Sequence, residues 1–308
     1  MTKDGDFKRH VRDRAARTGE SYQTALRQLR PDTSAAEALD DATLVDSFER
    51  TGIVKLTGVF SEESAAAMRE VVWRGWAEAY GVREDDPATW IAVPRYKTLK
   101  ESKRHSSFRA ILGEDLRSLA DRLLGPGWST SNGFGNLLTS FPNVTEWHLP
   151  SSDGMWHSDY GYRTPMDPLP GLRVFAVFGE VPSHGGGTLL VEGSHRMVER
   201  FVHAHPEVAA GRAKLARLAC QSSNGWLHEL THGDATAAGR VDRFMATTTD
   251  VDGITARVVE ACGMPGDVYV CHPWTIHCAP PNANSQPRFL RSPTLAHRRR
   301  SPSVIAEA

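Results

Sequence analysis

The sequence predicts a mainly β fold with helical support, an α+β sandwich or jelly roll whose helices gather at its N-terminal side. Three observations carry that expectation. From residue 137 onward, short apolar runs at 137–141, 172–178, 188–191, 256–260, 268–271 and 289–295 alternate with clusters of Gly, Pro, Asn and Ser. Runs of that length between turn residues read as strands. Before them, apolar residues recur at helical spacing instead. The 308 residues are 40% hydrophobic and 24% charged, a globular composition that can bury about three quarters of the unfolded surface.

The elements follow in order. Residues 7–30 read as two short basic helices broken at Thr18-Gly19, with Tyr22, Leu26 and Leu29 on one face of the second. Residues 1–35 are therefore expected to be a helical appendage for docking or oligomerisation, because one helix pair is weak evidence for DNA binding. The main domain is expected over 36–300. It opens with a strand, Ile53 to Leu56, and a helix N-capped by Ser61. Met68, Val71, Val72 and Trp76 share one face of that helix, and Gly81 stops it. A further helix, EDLRSLADRLLG, ends at Gly125-Pro126. Residues 198–250 interrupt the strand rhythm with polar, helical sequence, and a lid over the open end of the barrel is the expected role. The tail 301–308 has no assigned role.

Charge and cysteine content exclude several classes. The formal net charge is −1, which gives no electrostatic footprint for nonspecific nucleic-acid or anionic membrane binding. No run approaches the ~20 apolar residues of a membrane span. The 4 cysteines form no CxxC pair, and MTKDGDFKRH lacks the apolar run of a secretory signal, so a reduced, cytoplasmic protein is expected. The anticipated partner is a small-molecule substrate, with self-association left open. The 13 histidines are the unusual figure, since imidazole serves both metal ligation and proton transfer.

The stretch MWHSDYGYR, residues 155–163, carries the chemistry. Side chains two apart on an extended strand share a face, so His157 and Asp159 present an imidazole and a carboxylate together. A second histidine from a distant strand would complete two His and one carboxylate, a set that suits Fe(II) and leaves three positions open. The segment GDVYVCHPWTIHCAPPNANSQPR, residues 266–288, offers His272 and His277. Arg288 follows His277 by 11 residues, and its planar guanidinium would offer a fork to the distal carboxylate of a dicarboxylate.

Here the sequence resembles the phytanoyl-CoA dioxygenase-like Fe(II)- and 2-oxoglutarate-dependent oxygenases over roughly residues 45–295. FERTGIVKLTGVFSEE looks like the family's opening strand and helix, and WHSD like its His-x-Asp motif. GGGTLLVEGSHR looks like its Gly-rich turn and Gly-Ser-His strand, and HCAPPNANSQPR like its last histidine, Pro-Asn turn and cosubstrate arginine. The resemblance implies a double-stranded β-helix, a cupin-like jelly roll. It implies that His157, Asp159 and His277 are catalytic iron ligands and that Arg288 holds the C5 carboxylate of 2-oxoglutarate. Asn136 and Thr188 fall where the family often places supporting polar contacts to the cosubstrate. The 118 residues from Asp159 to His277 exceed the family's compact spacing, the excess falling in 198–250.

Competing residues read differently. His232-Gly233-Asp234 is also His-x-Asp, but it lies in LTHGDATAAG, a loop by composition. His272 lacks an arginine at the matching separation. His195, at the end of a strand, is a turn residue or a support to the site. The Gly185–Gly187 run lacks phosphate-loop spacing, and Cys278 is a small residue packed beside the metal site. Tyr162, Arg163 and Trp274 flank the ligand segments as candidates for substrate contact, Arg163 for an anionic group. Tyr160 should face away from Asp159.

The expected function is a 2-oxoglutarate-dependent non-haem iron dioxygenase using O2. It would hydroxylate a small polar or specialised metabolite and release succinate and CO2. Asp159 argues against halogenation, since a halogenase of this type needs that position vacated for chloride; desaturation, ring formation and epimerisation stay open. The competing readings are a non-catalytic ligand-sensing barrel with DNA-associated N-terminal helices, and a cupin-like isomerase or hydrolase using another metal.

Overall fold

In the computed structural model, residues 41–92, 99–130, 133–152 and 155–297 are described. The chain divides into two compact units, 1–44 and 45–308. The expected appendage at 1–35 and the tail at 301–308 lie outside the described residues. Apart from the first residues of helix α1 (Asp41–Thr51), every described element belongs to the second unit.

A left-handed glycine, Gly52 at φ 75°, turns α1 into strand β1 (Ile53–Leu56). A Cβ there would sit 2.4 Å from His195 Nδ1, so both the turn and the close approach require glycine. Helix α2 (Glu62–Tyr80) starts on Ser61, whose hydroxyl accepts from the Ser64 N–H, and ends on Gly81 in the left-handed conformation. Its buried face is Ala65, Met68, Val72, Trp73 and Trp76, so Trp73 takes the place expected of Val71. Helix α3 (Glu114–Leu124) buries Leu116, Leu119, Ala120 and Leu124.

Ten strands then complete two antiparallel sheets: β2 (Ser129–Thr130), β3 (Asn136–Ser140), β4 (Gly171–Val177), β5 (Leu189–Glu192), β6 (Thr249–Val251), β7 (Ile254–Glu260), β8 (Val268–Cys271), β9 (His277–Cys278), β10 (Arg288–Ser292) and β11 (Thr294–Ala296). The larger sheet runs β1-β8-β4-β10-β3, with β11 joining β4 to β2, and the smaller runs β6-β7-β5-β9. The apolar run expected at 289–295 is two strands because Pro293, which has no N–H to donate, breaks the ladder between β10 and β11.

Residue parity sorts the faces. Ile53, Phe175, Val177, Tyr269, Cys271 and Leu290 of the larger sheet pack with Leu190 and Val259 of the smaller, forming the interior between the sheets. The outer face of the larger sheet meets the N-terminal helices, where the Trp73 and Phe289 rings stand edge to face at 5.3 Å. The segment 198–250, expected as a lid, forms helices α4 (Ser194–Ala204), α5 (Pro206–Ala209), α6 (Ala213–Ser222) and α7 (Gly225–His232). Their apolar side chains, among them Val198, Phe201, Trp226, Leu227 and Leu230, pack on the outward residues Leu189, Val191, Val258, Ile276 and Cys278 of the smaller sheet. This second apolar layer is what the additional sequence length builds.

Candidate metal centre

His157 and His277 meet through backbone before side chain. Each N–H donates to the other's carbonyl, at 2.9 and 2.8 Å, an isolated antiparallel bridge. The segment around His157 is thus one bridge rather than the regular strand its alternation predicts, yet the alternation of faces survives. Trp156 and Tyr160 are buried among the outer helices, while His157 and Asp159 turn toward His277. Ligand atoms of His157, Asp159 and His277 lie within 4.8 Å of one another.

Both imidazoles are oriented in the same way. His157 Nδ1 lies 3.0 Å from the Met155 carbonyl and His277 Nδ1 2.9 Å from the Thr275 carbonyl. A carbonyl only accepts, so each Nδ1 carries the proton and each Nε2 presents a lone pair. Burial lowers the His277 pKa to about 4, against the attraction of Asp159, and holds that ring in the neutral, ligating form.

Asp159 is ionised by its neighbours. Burial raises its pKa, but Arg173, His277 and His157 together outweigh burial and hold it below the usual carboxylate value. Arg173 Nε lies 2.9 Å from Asp159 Oδ2. The contact is an ion pair out of line for a hydrogen bond, since both atoms are buried without a hydrogen-bond partner among the described residues. His277 Nε2 is 3.5 Å from the same oxygen. Two nitrogen lone pairs and an unspent carboxylate oxygen converging on one point suit a divalent cation.

Arg288 opens β10 opposite Ser140 and shares the inward parity of Leu290. It is only 5% exposed, and its Nε and Nη1 find no hydrogen-bond partner among the described residues. Burial pushes its pKa down to about 10, with the carboxylate of Glu260 opposing. A buried guanidinium with two unspent donors is costly unless an anion completes it, so the site also fits the carboxylate of a dicarboxylic cosubstrate.

Thr188 is buried just before β5, and its carbonyl accepts from the Ala261 N–H. Asn136 heads β3 opposite Ser292, inward by parity with Leu138 and Leu290 but at the other end of the strand from Arg288. Tyr162, Arg163 and Trp274 line one cavity of about 440 Å³ together with His195, Glu199, Val202, His203 and His272. None of its lining residues is one of the three ligands. Within it, Arg163 is exposed and donates through Nε to the Ala210 carbonyl at 2.5 Å.

The competing residues have other work. His232 ends α7, stacked on His228 at 4.9 Å, so its segment finishes a helix where a loop was expected; the helical spacing of Trp226, Leu227 and Leu230 overrides the small residues after it. His272 Nδ1 accepts from the Trp274 N–H. His195, expected at the end of a strand, lies in the first turn of α4 and bonds the Glu49 carbonyl through Nε2. Cys278 is buried on the side of the smaller sheet opposite His277, among the outer helices. Two residues escaped the sequence reading, Arg173 and Asn282. The signal for Arg173 was an ionisable residue at an inward position of the apolar run LRVFAVF.

The family model described as phytanoyl-CoA dioxygenase matches residues 48–290. The chain belongs to that family. Membership makes the protein an oxygenase-type enzyme of the Fe(II)- and 2-oxoglutarate-dependent class, and the donors assembled here fit both groups. No curated protein matches the chain. Among solved structures, it is similar to the epimerase SnoN in complex with Fe3+, alpha ketoglutarate and nogalamycin RO, at 19% identity and TM-score 0.49 over 83% of each chain. It is also similar to AviO1 from Streptomyces viridochromogenes Tue57, at 17% identity and TM-score 0.48, over 85% of this chain and 96% of that one. No helix among the described residues is long and apolar enough to cross a membrane.

Proposed function

We propose that the protein is a 2-oxoglutarate-dependent non-haem iron dioxygenase that oxidises an unactivated C–H bond of a small polar or specialised metabolite, with hydroxylation as the outcome. The observation that carries this reading is one interior holding both the His157, Asp159, His277 set and the guanidinium of Arg288, two of whose donors are unspent among the described residues. With iron and 2-oxoglutarate bound, O2 would supply the oxidising power for the C–H bond, and the cosubstrate would leave as succinate and CO2.

The chain's own residues do the rest. His157 and His277 offer Nε2 from rings fixed by backbone carbonyls, and Asp159 adds one negative charge, leaving three metal positions open. Arg288 takes the distal carboxylate of the cosubstrate, with Thr188 and Asn136 as supporting polar contacts. Tyr162, Arg163 and Trp274 form a wall of the substrate space. The insertion covers that space, a role supported by the contribution of Glu199, Val202 and His203 from α4 to the same cavity.

The test is anaerobic addition of Fe(II) and 2-oxoglutarate, followed by O2 with a metabolite panel. A visible Fe(II)–2-oxoglutarate charge-transfer band and substrate-dependent succinate are expected, and His157→Ala should abolish both. Intact protein that binds neither Fe(II) nor 2-oxoglutarate overturns the reading.

A further inference from the structure

Helix α7 ends in HELTH, residues 228–232. His-Glu-x-x-His on a helix sets two imidazoles four residues apart on one face, the arrangement by which such a segment takes up zinc. The rings of His228 and His232 stand nearly parallel, with 13° between their planes and 4.9 Å between their centres. Two nitrogens of a tetrahedral zinc site, each about 2.0–2.1 Å from the ion, lie roughly 3.3 Å apart. The parallel rings need only tilt their tips together to share one ion.

A neighbouring hydroxyl fixes the tautomer of one ring. Thr231 Oγ1 donates its single proton to the Leu227 carbonyl at 2.8 Å, and the same oxygen lies 2.6 Å from His232 Nδ1. With its proton spent, the hydroxyl accepts from that ring, so Nδ1 carries the imidazole proton and the lone pair lies on Nε2. His228 is exposed and makes no hydrogen bond among the described residues, so its ring can turn toward an ion. The Glu229 carboxylate is held by Arg243 at 2.5 Å, which leaves the motif without the general base of a hydrolytic centre. No third His, Cys, Asp or Glu among the described residues joins the pair within 4.8 Å. The motif is therefore a two-imidazole site that water would complete.

We propose that His228 and His232 form a second metal site, for Zn(II) or Cu(II), separate from the His157, Asp159, His277 centre. Imidazole ligation without a carboxylate favours these ions over Fe(II), so the two sites sort metals. The site lies on the last turn of α7, where a cation meets the negative end of the helix dipole. That turn also ties the insertion to the segment leading into His157. Ser151 Oγ donates to the Gly233 carbonyl at 2.5 Å, and Arg240 donates to the carbonyls of Leu149, Pro150 and Leu230. An ion that prefers the folded turn to the unfolded chain stabilises this junction. The inference stands apart from the oxygenase reading, which the titration below does not decide.

The experiment titrates ZnCl2 into the chelator-treated full chain, counts bound metal by equilibrium dialysis and follows melting temperature alongside. The parent should bind two equivalents, and His157→Ala should keep the one held at α7. His228→Gln and His232→Ala should each weaken that equivalent tenfold or more and remove its share of the zinc-induced rise in melting temperature. Because His228 is exposed, the metal-free melting temperature of His228→Gln should match that of the parent, which separates lost ligation from lost folding. Cu(II) bound to His157→Ala should show nitrogen hyperfine coupling in its EPR spectrum, and adding His228→Gln should abolish that signal. Two outcomes overturn the inference: the parent binds a single equivalent that His157→Ala loses, or folded His228→Gln binds both equivalents as tightly as the parent does.

Discussion

Arg173 Nε stands 2.9 Å from Asp159 Oδ2, the oxygen that also faces His277 Nε2 at 3.5 Å. An arginine thus holds the carboxylate on its ligating side, and a divalent metal would share that oxygen with it. Arg173 is itself fixed, since Nη1 donates to Thr294 Oγ1 at 3.0 Å. Replacing it by methionine leaves a buried carboxylate without its nearest cation, a loss of about 3–5 kcal/mol in comparable pairs. Arg173→Met should therefore lower the melting temperature of metal-free protein. Because a divalent ion can replace the missing positive charge, Co(II) or Fe(II) should raise the melting temperature of the variant by more than that of the parent. Equal metal-induced shifts in the two proteins would show that Arg173 does not compensate Asp159.

At Arg288 stability and function should part. Nε and Nη1 are buried and unspent among the described residues, so the apo fold bears a desolvation cost with little return. Arg288→Met should leave the melting temperature of apo protein unchanged or higher, while weakening 2-oxoglutarate binding tenfold or more in anaerobic titration. Arg288→Lys should fall between, because an ammonium restores charge without the two-point fork. A variant that binds 2-oxoglutarate normally would remove Arg288 from the cosubstrate site.

Two histidines outside the metal centre set an acid limit on the fold. The rings of His195 and His272 lie 4.8 Å apart. Burial lowers His195 to about 4, against its bond to the Glu49 carbonyl, and burial with the neighbouring His195 lowers His272 to about 3. Unfolded histidines bind protons at about 6.5, so below that pH the unfolded state takes up more protons than the folded one. Stability is then fully present above pH 6.5 and falls as the pH drops toward 4. Urea unfolding of apo protein at stepped pH should show this decline, and His272→Gln should make it shallower.

Much of this was legible in sequence because it depends on local alternation. His157 and Asp159 two apart, the short apolar runs, and the caps at Ser61 and Gly81 each follow from one-dimensional spacing. What was not legible depends on pairing. Nothing local says that His157 forms a single bridge to His277 instead of a strand, or that Pro293 divides one apolar run into β10 and β11. The helices after Gly193 read as polar from outside. Their buried stripe is visible only once Leu189, Val191 and Ile276 supply a surface for it.

The segment joining His277 to Arg288 is held by one side chain that its Pro-Asn sequence only hints at. Asn282 is fully buried, and every polar atom it owns is used. Its Nδ2 donates to the Ser140 and Gln286 carbonyls, each at 2.9 Å, and its Oδ1 accepts from the Asn284 N–H at 2.9 Å. Its backbone exchanges bonds with Asn143, 2.9 Å to the side chain and 3.0 Å from the Asn143 N–H. Gly186 must pass close by, since a Cβ there would lie 3.1 Å from Asn282 Cβ. Truncation to alanine removes both donors and leaves the carbonyl of half-buried Ser140 without its Asn282 partner, at about 1–3 kcal/mol for a buried group left unsatisfied, while the exposed Gln286 carbonyl can turn to water. Because the same segment carries His277 at one end and, at the other, Arg288, the arginine proposed to hold the cosubstrate, Asn282→Ala should weaken Fe(II) and 2-oxoglutarate binding together. Asn282→Asp replaces the double donor with an acceptor facing two carbonyls, and should be the more damaging change. If either variant lost affinity for only one of the two, the segment would not act as a unit.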